Sequence, residues 1–120
     1  MGETHAVVKV YGPLGSSDVE MLADTGSTLT KIDESTAKRL GITPTGSAVV
    51  ELADGTDRER GLAEAKVEIM GNKATVMILI GPDGEEPLLG LTSLGSLRLK
   101  VNPIKRQLEM AKFIEYASLS

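Results

Sequence analysis

The chain has no cysteine and no tryptophan, and its 120 residues include a single histidine. Without cysteine there are no disulfides, no thiolate metal ligands and no thiol nucleophile. His5 has no second histidine to pair with, so no metal-ligand spacing exists around it; it reads as an ordinary surface residue of a strand. One phenylalanine and two tyrosines are the only aromatic residues, and Val, Ile, Leu and Met must therefore build the interior of a chain that is 41% hydrophobic. Long apolar runs are missing as well: the longest, Val76–Ile80, falls far short of membrane-spanning length. The start, "MGETHAVVKV", has neither the basic segment nor the apolar stretch of a secretory signal, and Ala6 departs from the myristoylation pattern, so a cytoplasmic location is expected. The net charge is −4 and the Lys and Arg residues are scattered, which argues against a nucleic-acid or membrane partner.

What is present suits one globular domain over residues 1–120. "THAVVKVYG" is rich in β-branched residues and ends at Gly12-Pro13; the turn-like "GPLGSSD" then leads to a second apolar run, Val19–Ala23, so the two read as a hairpin. "DESTAKRLG" begins with a capping acid and stops at Gly41, which predicts a short helix over Asp33–Leu40. From Ser47 to Gly81 three extended runs are separated by Asp54-Gly55, a strong hairpin signal, and Gly71-Asn72, a weaker one, as in a β-meander. "GPDGEEP" reads as a solvated loop; its acids lack the alternating pattern of a calcium loop. "LLGLTSLGSL" reads as a short helical turn, and "RLKVNPIKRQLEM" as two strands joined at Asn102-Pro103. The glycines of "YGPLGSS" have no lysine and no long helix to make a phosphate cradle. The expected class is all-β with one or two short helices.

"EMLADTGSTL" is the stretch that carries chemistry. Asp24 directly follows Met21-Leu22-Ala23, so a strand leaving the core would deliver its carboxylate to a partly desolvated place. Thr25, Gly26 and Ser27 supply backbone N–H donors, conformational freedom and hydroxyls to hold it. The same residues also suit an Asx-type turn that only starts the next element.

"ADTGST" after a hairpin, a "DG"-tipped hairpin in mid-chain and "LLGLTSLGSLRLKV" near the end, in that order, resemble the retropepsin-like aspartic proteases over about residues 5 to 110. The resemblance implies a closed, barrel-like sheet with a flap hairpin. It also implies a symmetric homodimer, because the chain has one Asp-Thr-Gly and the chemistry needs two facing carboxylates. Asp24 would be the catalytic residue; Thr25 would lock the two active loops across the axis, Gly26 would admit substrate backbone, and Ser27 would bond the outer oxygen of Asp24. The hairpin from about Val49 to Leu62, tipped by Ala53, Asp54, Gly55 and Thr56, would be the flap. Leu22, Leu88 and the apolar run ending at Ile80 are candidates for lining substrate pockets, with plain core packing the reading for Met77 and Ile80 and both readings open for Leu88. The substrate would be a peptide or protein, and no metal or organic cofactor is required.

Some features depart from the family pattern. An arginine commonly follows the late glycine and ties to an acid beside the active loop; here the places read Gly90-Leu91-Thr92 and Gly26-Ser27-Thr28. The hairpin carries Asp54, Asp57, Arg58, Glu59 and Arg60, charges that read equally as a solvated surface. The tail, residues 111–120, holds Phe113, Ile114, Tyr116 and Leu119 and is expected at the dimer interface. Two rivals accompany the peptidase reading: a catalytically inactive retropepsin-fold dimer that binds a peptide or protein, and an unrelated β-rich domain in which Asp-Thr-Gly-Ser is only a turn.

Overall fold

The computed structural model describes residues 2–113. Its strands are β1 (His5–Gly12), β2 (Gly15–Asp24), β3 (Thr30–Asp33), β4 (Gly46–Glu51), β5 (Asp57–Ile69), β6 (Asn72–Gly81), β7 (Leu88–Gly90), β8 (Leu99–Asn102) and β9 (Gln107–Met110). Helix α1 (Glu34–Leu40) follows β3 and α2 (Leu91–Ser96) follows β7. The main sheet runs β1-β2-β7-β3-β6-β5-β4, and β1 also pairs with β5. That pairing closes six strands into a barrel and leaves β4 as a flange on β5.

Period-two patterning explains why these segments close. Val8 and Val10 of β1, Ala63, Ala65, Val67 and Ile69 of β5, and Val76, Ile78 and Ile80 of β6 are buried, while the residues between them turn outward. Burial of each large aliphatic side chain contributes about 1.5–3 kcal/mol. At the seam Val10 faces Val67, and outside it Tyr11 donates a hydrogen bond to Glu68 with Lys9 and Lys66 against its ring. Met77 corrects its expected place: it falls on the outer phase of β6 between Val76 and Ile78 and is exposed, whereas Ile80 is core.

The first hairpin is tighter than the sequence suggests, since β2 already starts at Gly15 and Gly12 pairs with Gly15. α1 matches its expected span: Asp33 accepts from the Thr36 N–H at 2.9 Å as N-cap, and Gly41, at φ 74°, closes the helix. The meander β4–β5–β6 also forms, with Met70-Gly71 as the two-residue turn between Ile69 and Asn72. β3 goes beyond the sequence expectation: "TKID" is short and half polar, yet it lies between β6, parallel, and β7, antiparallel. Residues 114–120 of the tail expected at an interface lie outside the described residues; Phe113 is exposed.

Candidate active site

Asp24 is the last residue of β2, and the parallel pairing of β2 with β7 sets it beside Gly90. The chain turns immediately after it, with the Ser27 N–H donating to the Asp24 carbonyl at 3.1 Å. Each carboxylate oxygen receives one donor. The Gly26 N–H reaches Oδ1 at 2.9 Å and Ser27 Oγ reaches Oδ2 at 3.0 Å. The Gly26 contact has the form of an Asx-type turn, so the turn and the positioned acid are one arrangement rather than rivals. A carboxylate has about four lone-pair positions, and these two bonds leave capacity for a water and a second acid. Asp24 is half-buried, while Thr25 and Gly26 are exposed.

Beneath the loop lies a buried polar core. The Gly90 N–H donates to Thr30 Oγ1 at 3.0 Å, and Thr30 Oγ1 donates to Ser93 Oγ at 2.7 Å. Thr30 and Ser93 are both fully buried, so β3, β7 and α2 are fastened under the site by bonds that water cannot replace. Gly90 itself has no room for a side chain: a Cβ there would stand 2.4 Å from the Leu29 carbonyl carbon and 2.5 Å from its oxygen. This close approach lets β7 run past the residues just after the active loop. Neutral bonds stand where an arginine–acid tie was absent from the sequence. The Leu91 N–H donates to the Ser27 carbonyl at 2.8 Å, and the Thr92 N–H and Oγ1 donate to the Thr28 carbonyl at 3.1 and 2.8 Å.

A cleft of about 460 Å³ opens beside the loop, walled by Gly26–Leu29 and by Ala48–Leu52 of the β4–β5 hairpin, with Leu79, Leu88 and the charged Lys31, Arg60 and Glu85 completing the lining. Asp24 is not itself a wall residue, but Gly26 and Ser27, which hold its carboxylate, are. Of the candidate lining residues, Leu88 and, from the run ending at Ile80, Leu79 reach the cleft. Leu22 pairs with Leu88, is half-buried and does not line the cleft; its N–H donates to the Pro87 carbonyl at 3.0 Å. The hairpin tip, Ala53–Thr56, is exposed and not part of the cleft wall, which is made by Ala48–Leu52 just before it. There Asp54 accepts from the Thr56 hydroxyl and then from its N–H, contacts that hold its carboxyl below the usual aspartate range.

Three of the charged residues on the cleft wall, Lys31, Arg60 and Glu85, form an ion-paired cluster, although Arg60 and Glu85 read from the sequence as solvated hairpin and loop charges. Lys31 Nζ lies 2.9 Å from Glu85 Oε1, and Arg60 NH2 lies 3.0 Å from Glu85 Oε2. Arg60 therefore turns inward, not to solvent with its hairpin neighbours. The loop over Pro82–Pro87 is likewise no freely solvated turn: Asp83 accepts from the Ser35 N–H and hydroxyl, Glu85 binds the two cations, and Glu86 meets His5 at 3.2 Å. The one available sequence signal is the phase of Lys31 between Thr30 and Ile32, both buried, which sends it to the opposite side of β3. Among the described residues no group of His, Asp or Glu has the arrangement to hold a metal ion, and no helix is long and apolar enough to cross a membrane.

No curated protein matches the chain. A family model described as aspartyl protease matches residues 7–93, a span that runs from β1 into α2 and takes in both Asp24 and Gly90. That match sets aside the unrelated β-rich domain, and the chain belongs to this retropepsin-like aspartyl protease family.

Proposed function

We propose that the protein is an aspartic endopeptidase that hydrolyses extended peptides, acting as a homodimer in which Asp24 of each subunit faces the other. The observation that carries this reading is the Asp24 carboxylate, held on each oxygen by one donor at the end of β2 and beside an open cleft. Two such carboxylates brought together cannot both stay ionised, as is known for aspartic-protease dyads in general. One is then a base and its partner an acid at the same pH.

The reaction follows from that division. The ionised carboxylate takes a proton from water as its oxygen attacks the scissile carbonyl, and the protonated carboxyl donates to the carbonyl oxygen. Collapse of the tetrahedral intermediate sends a proton to the departing amine. No covalent enzyme intermediate forms, and no metal or organic cofactor takes part. Gly26 and Ser27 fix the carboxylate before substrate arrives, so little reorganisation is left to the chemical step. The β4–β5 hairpin, whose residues Ala48–Leu52 already wall the cleft, acts as the flap that closes over the bound peptide.

The test is cleavage of a mixed peptide library from acidic to neutral pH by the native protein and by Asp24→Asn, with and without a statine-type inhibitor that mimics the tetrahedral intermediate. Cleavage that disappears in the variant and is blocked by the inhibitor is the expected result. A folded, confirmed dimer that cuts nothing would leave the non-catalytic binding module as the reading.

A further inference from the structure

The charged wall of the cleft joins three separate segments: Lys31 from β3, Arg60 from β5 and Glu85 from the loop after β6. Both Glu85 oxygens are engaged, Oε1 by Lys31 and Oε2 by Arg60. The cations are the less accessible members, with side chains 18% and 12% exposed against 36% for Glu85. Room for the cluster is made by Gly81, where a Cβ would press on Lys31 Cδ at 3.0 Å and on Glu85 Oε1 at 3.2 Å.

Two cations thus share one anion, and the cluster has an excess positive charge. Arg60 bonds to Glu85 through NH2 alone, and Lys31 through one of its hydrogens. Among the described residues no buried side-chain nitrogen or oxygen lacks a partner, so the unused Nε and NH1 of Arg60 are within reach of solvent. Glu51, the other acid on the cleft wall, is exposed, sits at the end of β4 opposite Asp57, and takes no part in the cluster. The wall therefore offers partly desolvated N–H donors with a charge only half matched.

We propose that this wall is a specificity subsite for an acidic side chain, Asp or Glu, of the peptide substrate. The incoming carboxylate takes the free N–H groups of Arg60 and Lys31 and supplies the cluster's missing negative charge. A glutamine of the same shape cannot neutralise it, and a lysine is repelled. The inference rests on the peptidase reading for the nature of the ligand, an extended peptide bound along the cleft.

A set of statine-containing peptides, carrying Glu or Gln at each position flanking the statine in turn, tests it by calorimetric titration of the intact protein. The Lys31→Met and Arg60→Met variants, which keep most of the apolar stems, are titrated alongside. At one position on the peptide Glu should bind about tenfold more tightly than Gln. That ratio should fall in each variant, and in the native protein it should shrink as salt is raised, a readout that depends on no substitution. Equal binding of Glu and Gln peptides at every position would overturn the subsite while leaving the peptidase intact. A Glu preference that survives both substitutions would overturn it too, by placing its source elsewhere. If no peptide binds and no library peptide is cut, the peptidase reading fails and the subsite with it.

Discussion

The backbone N–H of Gly90 is satisfied by the hydroxyl of Thr30, 3.0 Å away and entirely out of reach of water. Thr30→Val keeps the shape and removes the acceptor. It leaves the Gly90 N–H orphaned and deprives Ser93 of its donor, at a cost of about 1–3 kcal/mol. Urea unfolding of the variant should show a lower midpoint with an unchanged slope; an unaltered midpoint would mean that the buried network does not support the site.

Lys31, through its hydrogen bond, and then Arg60 hold the Glu85 carboxyl below the ordinary glutamate value of 4.5. A folded-state value lowered in this way gives stability that is fully present above 4.5 and is lost as pH falls through the depressed value. Glu85→Gln removes that contribution. The variant should be less stable than the native protein at neutral pH, and the gap should close as pH drops below 4.5. Unfolding measured across that range checks this, and a gap independent of pH would contradict it.

The β5–β6 turn holds Met70 at φ 53° and Gly71 at φ 81°, the pair of positive values that a type I′ hairpin requires. Glycine adopts this conformation freely, whereas a methionine is strained there, and Met70 is exposed with no core role to compensate. Met70→Asn should raise stability by about 1 kcal/mol, read as a higher urea midpoint.

Much of the frame was legible in the sequence because it is written locally. The Asp33 cap and the Gly41 stop delimit α1, Asp54-Gly55 marks a hairpin tip, and the alternation of Val8 and Val10 sets a strand face. Asp24 stood out for the same reason: its apolar approach and its Gly26 and Ser27 donors are within three residues of it. What could not be read depends on pairings between distant segments. β3 has little intrinsic strand character and owes its existence to β6 and β7 on either side. The inward turn of Arg60 is decided by Glu85, a residue of another loop, and the space for their contact with Lys31 is decided by Gly81. The turn that places Met70 at positive φ follows from the register of β5 on β6, not from its own residue preference.

The proposed site takes one Asp24 from each subunit, and mixing native and variant subunits tests this sharing. A fixed amount of native protein is allowed to exchange with an equal amount of Asp24→Asn, and peptide cleavage is compared with that of the native protein alone. If both carboxylates are needed, random pairing diverts half of the native subunits into inactive mixed dimers, and activity should fall to about half. Activity that stays unchanged after demonstrated exchange would show that one Asp24 suffices, and would contradict the shared dyad.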